Sequence, residues 1–104
     1  TNLMGIESSE LQADPVNENH VSLNALLHNR APYAQGFPNL ELTLNDGQDQ
    51  PLARRVFRPM EYLSPLDKES AGLLPNQEIT IRLPLNITGL KPMGYRLMLF
   101  YPSR

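Results

Sequence analysis

Leu40, Leu42 and Leu44 alternate with Glu41, Thr43 and Asn45, the period of two that turns one face of a strand to a core and the other to water. Asn45-Asp46-Gly47 then supplies residue types that tolerate positive φ where a chain reverses. Leu52 to Phe57 is the return strand, with Arg54 and Arg55 on its opposite faces, and Pro59, lacking an N–H, ends the pairing. The rest of the chain is expected to cover the apolar face of this hairpin, Phe37 to Leu63.

Upstream, His20 to Arg30 places Val21, Leu23, Ala25 and Leu27 on one face and Ser22, Asn24, His28 and Arg30 on the other, with Leu26 an apolar exception. Leu3 to Ala13 is a strand of irregular spacing, with Ile6 and Leu11 as core candidates; such irregularity predicts a bulge or a change of sheet. Downstream, Glu78 to Ile87 turns Ile79, Ile81, Leu83, Leu85 and Ile87 inward, and Pro84 marks an edge strand or a local break in pairing. Tyr95 to Tyr101 is apolar on both faces apart from Arg96 and is expected to be the innermost strand. In the connection from Ala31 to Pro38, Tyr33 and Phe37 are expected to cap one end of the core. Ser64 to Gln77 reads as a long loop with one helical turn. Six to seven strands separated by turns, in a chain with ten prolines, predict an all-β fold: an immunoglobulin-like antiparallel β-sandwich, with a small barrel as the alternative.

Size and charge narrow the function. A chain of 104 residues is expected to be one domain, 1–104, able to bury a core without staples. It has no cysteine, so it carries neither a disulfide nor a Cys-ligated zinc site. A net charge of −2 with no basic block argues against broad nucleic-acid affinity. No apolar run approaches the ~20 residues of a membrane helix, and no signal peptide is visible. The opening Thr1-Asn2, in place of Met, is expected of a soluble piece cut from a longer chain.

The candidate chemistry is sparse. Gly89 and Gly94 have phosphate-loop spacing, but Tyr95-Arg96 follows where Lys and a helix are needed, so an ordinary turn is expected. His20 and His28 share a strand face about 27 Å apart, too far to bind one metal. Asp46 and Asp49 lack calcium-loop spacing, and Asn86-Ile87-Thr88 matches a glycosylation pattern inside a strand. Nothing brings Glu41 and Glu61 together for acid–base work; Glu41 is expected to pair across to Arg54 or Arg55. No enzyme and no cofactor are expected. What remains is Arg54, Arg55 and Arg58, with Arg82 and Arg96 on other strands. Gathered on one outer face, they would suit an acidic partner segment or phosphate groups. Paired with Glu41, Glu61 and Glu78, they would only keep sheet edges soluble.

The segments FPNLELTLND (37–46), LARRVFRPMEYL (52–63) and GYRLMLFYP (94–102), preceded by LLHNRAPYAQ (26–35), resemble the bacterial domain of unknown function DUF3426. The resemblance spans about residues 3–102. It implies an architecture rather than an activity: an N-terminal zinc-ribbon-like finger, a Pro-rich linker, one transmembrane helix and this domain at the end. By that layout the protein sits in the inner membrane with this domain in the periplasm, and any zinc belongs to the finger outside this chain. The implied function is a non-catalytic interaction or sensing module with an unknown protein partner in the envelope. It would touch no nucleic acid and would meet the membrane only through an anchor outside this chain. Homodimerisation through a strand edge or the outer face of Tyr95–Tyr101 is left open. The positions that match the family are Arg54, Arg55, Phe57, Pro59, Glu61 and Tyr62, a candidate structural or contact block; Arg54, Arg55, Phe57, Arg58, Glu61 and Tyr62 are the candidate contact residues. Physically they read as a strand end plus a turn whose Arg and Glu lock the hairpin to the next loop. The alternative is a small-ligand domain with a pocket between Pro32–Phe37 and the 64–77 loop.

Overall fold

The alternating runs form strands in a computed structural model that describes residues 3–65, 67 and 71–102. They are β1 (Met4–Ala13), β2 (His20–Asn29), β3 (Asn39–Asn45), β4 (Pro51–Phe57), β5 (Glu78–Asn86) and β6 (Gly94–Phe100), with a one-turn helix α1 (Pro59–Tyr62) after β4. They make two antiparallel three-stranded sheets, ordered β1-β2-β5 and β4-β3-β6. The inner faces meet in one core: Leu23, Ala25, Leu27, Ile81 and Leu83 from the first sheet, Leu40, Leu42, Leu44 and Phe57 from the second. The fold is an all-β sandwich.

Several expectations hold in detail. The irregular first strand carries a bulge between Ile6 and Ser8, and β5, with Pro84, lies at a sheet edge. Ile6 and Leu11 pack on the core only partly; the fully buried residue of β1 is Met4.

Others need correction. β6 is an edge strand, not the innermost one. A three-stranded sheet has one central position, and β3 takes it because it pairs with both β4 and β6. The outer face of β6 is apolar yet wet, with Met98 55% exposed. Positive φ in the β3–β4 turn falls on Asp49 (62°) rather than on Asn45-Asp46-Gly47. There the Asp46 carboxylate accepts the N–H groups of Gln48 (2.8 Å) and Gln50 (2.9 Å), which shapes the turn. Tyr33 is 56% exposed and caps nothing, whereas Phe37 packs edge-on against Tyr62, ring centroids 6.5 Å apart. The 64–77 loop holds 3₁₀ conformation at Ala71; a separate helical turn, not expected from the sequence, forms before it at α1, where Pro59 presets φ and the Glu61 carboxylate accepts the Arg58 N–H at 3.1 Å. Residues 66 and 68–70 of the 64–77 loop lie outside the described residues.

One buried side chain ties both long connections to the sandwich. Asn29, at the end of β2, is fully buried. Its Nδ2 donates to the carbonyls of Tyr33 (2.9 Å), Leu73 (2.9 Å) and Leu74 (3.2 Å), and its Oδ1 accepts from Ala31 N (2.9 Å) and Gln35 Nε2 (2.7 Å). Beside it Gln35 and Leu73 exchange backbone hydrogen bonds of 3.0 and 2.7 Å. Gly72 completes this contact with φ +71°, and a Cβ there would lie 2.5 Å from the Gln35 carbonyl oxygen. Left-handed strain and a backbone clash together predict that Gly72→Ala costs on the order of 2 kcal/mol. In a thermal melt followed by circular dichroism that is a fall of roughly 10 °C; an unchanged midpoint would show that the Gln35–Leu73 bridge is not stabilising.

The β1 bulge also organises a small ionic cluster. Glu7 Oε1 lies 2.7 Å from His28 Nδ1, 3.0 Å from Arg30 Nε and 2.8 Å from Arg30 Nη2. The hydrogen bond with His28, and then that from Arg30, holds the Glu7 carboxyl below the usual glutamate range. A folded-state value below the unfolded one stabilises above the ordinary glutamate pKa of about 4.3 and is lost as pH falls through the folded value. Glu7→Gln should therefore flatten the acid side of the stability profile. Unfolding midpoints measured from about pH 6 down to pH 2 should fall less in the variant than in the wild type; parallel curves would remove Glu7 from the account.

Candidate interaction face

The candidate contact block divides on burial. Phe57 is 2% exposed and Tyr62 5%; both are core residues, and neither has surface to offer a partner. The Tyr62 hydroxyl donates to the Pro38 carbonyl at 2.6 Å, tying α1 to the start of β3. Arg55 points to the inner side of edge strand β4, as its pairing opposite Leu42 requires. Its guanidinium lies 4.5 Å over the Phe57 ring and 3.5 Å from Glu61. Glu61 also holds the Arg58 N–H, so Arg55, Phe57, Glu61 and Tyr62 lock the hairpin to α1. Nothing brings Glu41 and Glu61 into one site: Glu41 Oε1 pairs with Arg54 Nε at 3.3 Å instead.

Arg54 and Arg58 belong to a different surface. In the β4-β3-β6 sheet the register sets Arg54, Thr43 and Arg96 in one row of the outer face, Val56, Glu41 and Met98 in the next, and Asn39 beside Phe100 in a third. Arg58 and Met60 continue this face past the end of β4, where Asn39, Arg58, Pro59, Met60 and Pro102 line an open groove of about 480 Å³. Val56 is 43% exposed, Met98 55% and Met60 74%. The arginines here are loosely held: Arg54 by Glu41, Arg96 by Asp49 at 3.9 Å, and Arg58 by no acid among the described residues. Arg82 is absent from this face because β5 belongs to the other sheet. That sheet's outer face is polar along β1 and β2 apart from Leu26: Ser8, Glu10 and Gln12 oppose Leu26, Asn24 and Ser22.

The 64–77 loop does border a cavity, of about 160 Å³, lined by Phe37, Asp67, Gly72, Leu74 and Ile79 among others. That is small beside the roughly 300 Å³ at which ligand pockets begin. Among the described residues no three His, Asp or Glu side chains are grouped to hold a metal, and no helix is long and apolar enough to cross a membrane.

Sequence reasoning found the arginines and the apolar outer face of Tyr95–Tyr101, but not that they share one face with Val56. Val56, Met98 and Phe100 come from two strands, and only the register shows that they flank Glu41 and Asn39.

Fold and surface define an all-β sandwich domain with one apolar, arginine-flanked sheet face. Residues 1–99 match the family described as a protein of unknown function (DUF3426), and the chain belongs to that family. Neither the search of curated proteins nor that of solved structures finds a match.

Proposed function

We propose that the domain is a non-catalytic interaction module whose contact surface is the outer face of the β4-β3-β6 sheet. The observation that carries this reading is the exposed set Val56, Met98 and Met60 flanked by Arg54, Arg58 and Arg96, on a chain of net charge −2. Single exposed apolar residues are ordinary, but a group of them on one face favours a protein contact. Surface ion pairs such as Arg54–Glu41 are worth about 0–1 kcal/mol, so an incoming carboxylate can take them over at little cost. The partner chemistry that fits is an acidic segment with an apolar anchor. In the layout implied by the sequence resemblance, this module belongs to a membrane-anchored bacterial protein and works in the periplasm.

The test is crosslinked affinity capture from envelope extract. It compares the wild-type domain with Arg54→Glu/Arg58→Glu, once circular dichroism shows that both fold. A protein held by the wild type and lost by the variant is the expected result. Equal capture by both would clear this face.

A further inference from the structure

We propose that β6 pairs antiparallel with β6 of a second copy of the chain, joining two β4-β3-β6 sheets into one six-stranded sheet. An edge strand carries a row of backbone N–H and C=O groups that pair with any strand able to reach them, and natural proteins block such edges. The sandwich has four edges: β1, β5, β4 and β6. Three carry blocks. β1 has a bulge at Glu7, β5 has Pro84 in mid-strand, and β4 has a register break near its start and an inward-pointing Arg55. β6 runs in unbroken register along β3 from Gly94 to Phe100, with no proline and one charge, Arg96. β1 comes near β6, and Ser9 Oγ lies 2.7 Å from Tyr95 Oη, but β6 forms no backbone ladder with β1.

The strand is complementary to itself. Continuing the pleat requires facing residues to point the same way, so a two-fold axis must pass through a residue. An axis through Leu97 pairs the whole strand; axes through Arg96 and Met98 overlap it less and equally, and the one through Arg96 is disfavoured because it sets Arg96 against its own copy. About Met98, Arg96 faces Phe100 of the copy, a cation beside an aromatic ring. About Leu97, Arg96 faces Met98 of the copy. On the inner side Tyr95 faces Leu99 and Leu97 faces its own copy about Leu97, whereas Leu97 faces Leu99 and Tyr95 faces Tyr101 about Met98; no like charges are opposed in either register. A strand with a single charge calls for an apolar strand beside it, and the second copy supplies one. One strand pair is small beside the roughly 1,200–2,000 Å² of a stable complex, so the dimer is weak and reversible.

The pairing goes beyond the proposed contact face and is read separately, so either can fail alone. Sedimentation equilibrium of the wild-type chain over a concentration series is expected to show a monomer–dimer equilibrium. Met98→Lys places a lysine opposite its own copy in one register and opposite Arg96 in the other, a like-charge clash in both. That variant is expected to stay monomeric with an unchanged circular dichroism spectrum. Met60→Lys, at a still more exposed methionine off the strand, is expected to dimerise like the wild type. Amide exchange supplies a second readout: alternate β6 amides, those that β3 does not bind, should gain protection as concentration rises. A wild type that remains monomeric into the millimolar range overturns the proposal, as does dimerisation of Met98→Lys equal to the wild type. A dimer with unprotected β6 amides overturns it too.

Discussion

Asn29→Ala is expected to lower the unfolding midpoint by roughly 15–25 °C, equivalent to about 4 kcal/mol in a domain of this size. The side chain is fully buried and makes five hydrogen bonds, three to carbonyls and two from donors. A neutral hydrogen bond nets about 1 kcal/mol, but a buried group left unpaired costs about 1–3 kcal/mol. The substitution strands several such groups at once, in two different connections. Water entering the small void recovers part of this, which keeps the figure below the simple sum. Asn29→Asp gives a sharper check. It keeps the acceptor for Ala31 and Gln35 but sets a carboxylate against the carbonyls of Tyr33, Leu73 and Leu74. Near neutral pH it should be no more stable than the alanine variant, and an Asp variant melting near the wild type would show that the three carbonyl contacts contribute little.

Phe57→Ala should cost a similar amount, about 3–5 kcal/mol, through lost burial and the cavity left behind. Phe57 pairs with Leu40 at the end of β4 and sits in the shared core. Its ring is also the platform beneath the Arg55 guanidinium, so its loss loosens the Arg55–Glu61 pair that holds α1. Phe57→Leu retains most of the volume and should cost only about 1–1.5 kcal/mol. Denaturant unfolding of the two variants measures the difference; equal effects would mean that the ring makes no contribution beyond its bulk. The comparison bears on function too. A Phe57→Ala variant that fails to bind anything has lost its fold, and that failure says nothing of a contact at residue 57.

The fold was largely legible because strand periodicity is local. Val21-Leu23-Ala25-Leu27 and Leu40-Leu42-Leu44 announce their inner faces within a few residues, and those residues are the core or its partly buried margin. The order of strands was not legible for β6. A strand apolar on both faces is buried on both only where something covers it, and no local pattern reports what lies above Met98. The Asn29 hub was hidden for a related reason. An asparagine at the end of a strand looks like turn chemistry until two distant connections converge on it. In the candidate block, side-chain type could not separate the core pair Phe57 and Tyr62 from the exposed Arg54 and Arg58. That separation follows from alternation along β4 and from α1 folding back so that Tyr62 reaches Pro38.

The central claim is that one sheet face, not general charge, makes the contact. The most direct test compares two single charge reversals in the same envelope capture: Arg96→Glu, on the outer face of β6, and Arg82→Glu, on β5 of the other sheet. Both side chains are at the surface, so neither change should cost much stability. The account predicts that Arg82→Glu captures the same partner as the wild type, while Arg96→Glu loses it. Loss with Arg82→Glu and retention with Arg96→Glu would place the contact on the opposite sheet and contradict the account.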